Sequence, residues 1–182
     1  MSTNEAEMVL QQIEASQNHN IIGRQRGQIL VRLAREFHPR RILEVGTNVG
    51  YSAILMGKEL PSRTSITTIE INPKYAKEAK ENIRRAAIEP TVEVLIGDAL
   101  EILPTLNGEF DLVFLDAIKT QYLSYLKASE PHLFRGSMVI ADNIVRRSDE
   151  VQDYLEYVRE SGEYTSRIII VGNDGVELSI KR

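Results

Sequence analysis

The chain has 182 residues, 42% of them hydrophobic and 26% charged, with a formal net charge of -4 at pH 7. That length and balance suit one soluble domain with its own core, and the absence of cysteine excludes disulfides, thiolate metal sites and cysteine nucleophiles. No long Lys/Arg run advertises a large nucleic-acid footprint, no apolar stretch approaches the ~20 residues that span a bilayer, and the polar, acidic start MSTNEAEMVL does not read as a signal peptide, so a cytoplasmic protein without a membrane partner is expected.

Residues 4–17 show weak helical periodicity. Ile29, Leu30, Leu33, Ala34 and Phe37 recur at helical spacing and predict a helix over 25–37, which Pro39 stops. Strands and helices then alternate. Strands are expected at 41–46, 65–70, 92–96, 111–116 and 137–141, with helices near 51–60, 73–87, 99–104, 120–132 and 148–161. Asn72 and Pro73 supply an N-cap and a first helical position for the second of these helices. The end of the chain changes character: YTSRIIIV, GNDG and VELSIKR read as two strands around a turn. With no repeat or linker, residues 1–182 read as one domain, a helical segment over 1–38 leading into a core over 39–182. Five strands joined by helical crossovers predict an α/β fold, a doubly wound, Rossmann-like, mostly parallel sheet with helices on both faces. The terminal hairpin brings the sheet to seven strands with an antiparallel end.

Such sheets place ligands beyond the carboxyl ends of their strands. Here each of the first five strands delivers an acid to that rim: Glu44, Glu70, Asp98, Asp116 and Asp142, the last followed by Asn143. Acids also cap helices, and Asp98, just before ALEILP, is the clearest candidate for a plain cap. Five on one edge are better explained by a cationic ligand, a hydroxyl-bearing ligand or a metal. The turn after the first strand reads Glu44-x-Gly46-x-x-x-Gly50, with Asn48 at the middle glycine of the dinucleotide pattern G-x-G-x-x-G. No pyrophosphate cradle is evident, which favours a ligand without phosphates. Glu70, at the end of the second strand, can accept both hydroxyls of a ribose.

The motifs LEVGTNVGYSA, TTIEINP, GDALEILP, FDLVFLDAIKTQY and VIADNIV resemble those of class I S-adenosylmethionine-dependent methyltransferases, and within them the metal-dependent O-methyltransferases of catechol and caffeoyl-CoA type. The resemblance runs from IIGRQRGQIL to DGVELSIK. It implies that Glu44, Gly46 and Ser52 line the methionine and sulfonium part of S-adenosylmethionine, that Glu70 takes the ribose, and that Asp98 and Ala99 face the adenine. Ile22, beside Gly23, would close over the cofactor and Asp116 would border it. Asp116, Asp142 and Asn143 match the protein ligands of Mg²⁺, with Mn²⁺ the other hard cation such a set suits. Lys119 matches the general base. The resemblance also implies a homodimer and a small phenolic acceptor with vicinal oxygens. Ala117-Ile118 stand where the catechol enzyme has histidine and tryptophan, and RIIIVGND lacks that enzyme's acidic residue before the last turn. A larger phenolic, a caffeoyl-type ester and a tRNA nucleoside are therefore alternative acceptors. A non-catalytic nucleotide-binding protein of Rossmann type is the reading from another class. Tyr122 is expected to pack or to orient its loop, and Arg146-Arg147 to form a solvated loop that an anionic substrate tail would use.

Overall fold

The computed structural model describes residues 2–16 and 19–182. Its elements are α1 (Ser2–Ser16), α2 (Gly23–Phe37), β1 (Arg41–Val45), α3 (Tyr51–Gly57), β2 (Ser65–Glu70), α4 (Pro73–Ala86), β3 (Thr91–Ile96), α5 (Ala99–Ile102), β4 (Leu112–Leu115), α6 (Tyr122–Ser129), β5 (Met138–Asp142), α7 (Gln152–Glu160), β6 (Tyr164–Val171) and β7 (Asp174–Lys181). One seven-stranded sheet runs in the order β3-β2-β1-β4-β5-β7-β6. The first five strands are parallel, and β7 pairs antiparallel with both β5 and β6. The chain order reverses between β1 and β4, and a ligand crevice belongs at that switch point.

The central strands are apolar on both faces because helices cover both. Ile42 and Phe114 join a core with residues of α1, α2 and α3. Leu43, Val45, Val113 and Leu115 face the other way, toward α6 and α7. Continuous burial over Leu112–Leu115 is what a parallel strand between two helical layers requires.

The weak periodicity near the start resolves into a packed helix. Ala6, Val9, Leu10 and Ile13 form one buried stripe of α1. Position 17, the last of that expected helix, lies outside the described residues. An ion-pair network ties α1 to its neighbours: Glu7 accepts from Arg24 and Lys58, and Glu14 accepts from Arg24 and from the Tyr51 hydroxyl. Two cationic donors hold the Glu7 carboxyl down at about 2. Among the described residues, no helix is long and apolar enough to cross a membrane.

Candidate functional site at the carboxyl ends of the strands

Beyond β1, β2 and β4 opens a cleft of about 1030 Å³. Its floor depends on Gly46. That residue has φ +105°, and a Cβ added there would lie 2.3 Å from the Asp116 carbonyl oxygen. Only glycine lets the turn after β1 pass so close to the end of β4. The same conformation ends β1 at Val45, one residue earlier than the pattern predicted.

On one side of the cleft the acids are satisfied by the protein's own neutral donors. Glu44 is fully buried behind Ser52 and accepts from the Ser52 hydroxyl and, at 2.6 Å, from Thr68 Oγ1. Thr68 spends its one hydroxyl proton on Glu44, so the 2.6 Å contact between Thr47 and Thr68 is donated by Thr47. Burial still pushes the Glu44 carboxyl up to about 7, against the pull of its two hydroxyl donors. Glu70 accepts from the backbone N–H groups of Asn48 at 2.7 Å and Asn72 at 2.9 Å. Asp98 caps α5 by accepting from the Leu100 N–H at 2.8 Å. The segment before α2 covers this side, where Asn48 Nδ2 donates to the Asn20 carbonyl and Ile22 is buried.

The other side, at the ends of β4 and β5, is built from charges. Lys119 Nζ donates to Asp116 Oδ1 at 2.7 Å and to the Tyr122 hydroxyl at 2.6 Å. Tyr122 OH in turn lies 2.9 Å from the Leu115 carbonyl and 3.0 Å from that of Asp142, so it pins both strand ends. Its phenol is raised well above the usual range by burial. Asp142 is fully buried. Arg26 Nε lies 2.8 Å from Asp142 Oδ1, yet neither Asp142 oxygen accepts a hydrogen bond of proper geometry. Burial first, and the charge of Asp116 second, push the Asp142 carboxyl up to about 7, opposed by Arg26 and Lys119. Asn143 takes a left-handed φ of 61° and donates Nδ2 to Asp174 Oδ2 at 2.8 Å, leaving its amide oxygen for another partner.

Of the residues picked from the sequence, Ile22, Gly46, Ser52, Glu70, Asp98, Ala99, Asp116, Lys119 and Asn143 line this one cleft. Glu44 and Asp142 lie buried behind its walls. Two residues that sequence reasoning missed stand beside them. Asp174 accepts from Asn143 Nδ2 and from the backbone N–H groups of Val145, Arg146 and Gly175. Burial alone would raise its carboxyl; those donors hold it below its ordinary value. Arg26 reaches Asp142 and, at 3.6 Å, Asp174. A signal for Arg26 was present: it continues the stripe of Ile22, Leu30 and Leu33, which is the buried side of α2.

Among the described residues no group of three or more His, Cys, Asp or Glu could hold a metal. A cation here would rest on Asp116, Asp142 and the Asn143 amide oxygen, a hard all-oxygen set. The two Asp142 oxygens without hydrogen bonds fit that use, since a buried acid needs a donor or a cation.

A sequence profile described as O-methyltransferase matches residues 2–160. The chain is 38% identical over 126 residues to a catechol O-methyltransferase of Mycobacterium tuberculosis, a match covering 69% of this chain and 57% of that protein. It is 38% identical over 152 residues to catechol O-methyltransferase B of Danio rerio, covering 80% and 57%. Against these relatives the chain thus matches little more than half of their length. The crystal structure of an O-methyltransferase from Bacillus cereus in complex with SAH superposes with a TM-score of 0.87 at 28% identity, covering 98% of this chain and 91% of that one.

Proposed function

The chain belongs to the O-methyltransferase family, and from that premise we propose that it moves a methyl group from S-adenosylmethionine to a hydroxyl of a small phenolic acceptor with vicinal oxygens. In this reading Asp116, Asp142 and Asn143 hold Mg²⁺ or Mn²⁺, and Lys119 is the general base. One observation carries it: Lys119 Nζ stands 2.7 Å from Asp116 while Asp142, across the same strand ends, is buried with no hydrogen bond on either oxygen. A base and cation ligands would thus stand at the same strand ends, with Lys119, Asp116 and Asn143 on the cleft and Asp142 behind it.

When bound, the metal would orient two acceptor oxygens and lower the pKa of the attacking hydroxyl, and the sulfonium would supply the methyl group. The rest falls to the chain. Lys119 takes the hydroxyl proton at Nζ, its place fixed by Asp116 and Tyr122. Asp174 fixes the Asn143 amide so that nitrogen and oxygen have separate partners. Glu70 keeps lone pairs for ribose hydroxyls beside its two backbone donors. Gly46 allows the turn holding the cofactor to approach β4, which is how the methyl donor and the acceptor come within reach. Ile118, 52% exposed and lining the cleft, offers an aliphatic face to the ring of the acceptor.

The test is a methyl-transfer assay over catechol-type phenols, a caffeoyl-type ester and tRNA, with Mg²⁺, with Mn²⁺ and with a chelator. Metal-stimulated transfer to a phenolic is the expected result. A rate indifferent to the chelator would remove the metal role, and transfer to tRNA alone would replace the acceptor.

A further inference from the structure

We infer that Arg26 is a resident cation of the candidate metal centre: its guanidinium neutralises Asp142 and Asp174 while no divalent ion is bound, and so lowers the centre's affinity for one. The inference rests on the metal reading above and concerns a residue which that reading does not use.

Position comes first. Ile22, Arg26, Leu30 and Leu33 fall on one side of α2, and the three apolar members are buried. Arg26 is itself only 18% exposed, so it is a charge turned inward rather than a solvated one. A guanidinium with a buried Nε is retained only against acids, and this one meets two, Asp142 at 2.8 Å and Asp174 at 3.6 Å.

The quality of that contact comes second. An arginine that serves as a structural partner places its planar fork on one carboxylate. This protein contains such a pair: Arg159 donates Nε and a terminal nitrogen to the two oxygens of Glu177, at 2.8 and 2.7 Å. Arg26 instead splits between two acids. Its Nε and both Asp142 oxygens are buried without a hydrogen bond. The contact supplies charge without satisfying the groups, and a competing cation can displace it.

The third point is which acid depends on Arg26. Asp174 has four other donors, from Asn143, Val145, Arg146 and Gly175, and it survives the loss of Arg26. Asp142 accepts no hydrogen bond of proper geometry, and Arg26 is its one ion-pair partner among the described residues, with Lys119 and the Asn143 N–H balancing it in lesser part. Counting Asp116, three carboxylates face Arg26 and Lys119. Without Arg26 they face Lys119 alone, and a divalent ion no longer meets a guanidinium a few ångströms away. Like charges at that range, partly shielded, alter binding by roughly ten- to a hundredfold.

The experiment is calorimetric titration of Mg²⁺ into chelator-stripped, full-length wild type, R26M, R26Q and R26K, with melting temperatures taken in chelator and in saturating Mg²⁺. R26M and R26Q should bind Mg²⁺ about ten- to a hundredfold more tightly than wild type. They should also melt lower without metal, because Asp142 is left uncompensated, and gain more from Mg²⁺. R26K, which keeps the charge, should stay within about threefold of wild-type affinity. R26Q carries the test where R26M does not fold. Unchanged or weaker Mg²⁺ binding in the neutral variants, with wild type binding normally, overturns the role of Arg26 and leaves the metal reading intact. Absence of Mg²⁺ binding in all four proteins overturns both. Binding by the neutral variants alone supports both.

Discussion

The two ends of the cleft solve the problem of buried acids in opposite ways. At the β1–β2 end, Glu44 and Glu70 are met by hydroxyls and backbone N–H groups: Ser52, Thr68, Asn48 and Asn72. At the β4–β5 end, Asp116 and Asp142 face charges, Lys119 and Arg26, and neither carboxylate oxygen of Asp142 accepts a hydrogen bond of proper geometry. Neutral donors fix an acid in place at small net cost and leave spare lone pairs. Charged neighbours leave a site that can exchange one cation for another. The first end is thus finished before a ligand arrives, and in the proposed function the second is completed by one.

The largest effect should follow from removing the incomplete acid. Asp142→Ala is expected to cut metal-stimulated turnover by about 10³-fold or more, since positioning by the metal is lost along with its charge. S-adenosylmethionine affinity, set at the other end, should stay within about twofold. Steady-state rates across a Mg²⁺ series, beside cofactor titration, check both halves. A variant that lost cofactor binding and kept its metal response would invert the comparison.

Lys119→Ala comes next. It should lower the maximal rate by about 10²-fold while Mg²⁺ affinity does not fall, because Lys119 is a cation beside Asp116 and not itself an oxygen ligand. Rate and Mg²⁺ affinity measured on the same preparation separate the two roles. Equal losses in both would make Lys119 a support for Asp116 rather than a base. Glu70→Ala addresses the finished end: it should weaken S-adenosylmethionine binding roughly 30-fold, the scale of two hydrogen bonds at about 1 kcal/mol each, with little change in metal response. Cofactor titration with and without Mg²⁺ tests this.

How far the sequence reached differs between these ends. The five parallel strands were legible because their apolar runs are short and stop at acids. Asp116, Asp142 and Asn143 stand out at two of those stops, and the resemblance that FLDAIK and ADN carry singles out Lys119 with them. The depth of Glu44 and Asp142 was not: a strand-end acid looks the same in sequence whether it lines a cleft or sits behind it. Asp174 read as part of a turn, and only the pairing of β7 with β5 turns it toward Asn143. Arg26 sits in GRQRGQ, two residues from Arg24 in a polar run that resembles a solvent face. The docking of α2 over the strand ends decides which arginine turns inward, since Arg24 goes to Glu7 and Glu14 while Arg26 goes to Asp142.

The smallest expected effect bears on whether the finished end is finished in its charge state too. Burial raises the Glu44 carboxyl from 4.5 to about 7 in the fold. The folded chain therefore binds this proton more tightly than the unfolded one. Its contribution to stability is fully present below about pH 4.5 and is lost as pH rises through about 7. One proton sets a limiting slope of about 1.4 kcal/mol per pH unit. Urea unfolding of wild type and Glu44→Gln across this window isolates the residue, because other groups cancel in the difference between the two curves. The wild-type curve should fall relative to that of the variant between pH 4.5 and 7 and run parallel to it above. Parallel curves throughout would mean that Ser52 and Thr68 keep Glu44 ionised in the fold. Cofactor binding reports the same proton from the other side. A sulfonium favours the ionised carboxylate, so wild-type S-adenosylmethionine affinity should rise as pH passes 7, and that of Glu44→Gln should not. If both tests succeed, the hydroxyls around Glu44 hold its position while the ligand sets its charge, and the two ends differ in how much each leaves for a cation to do.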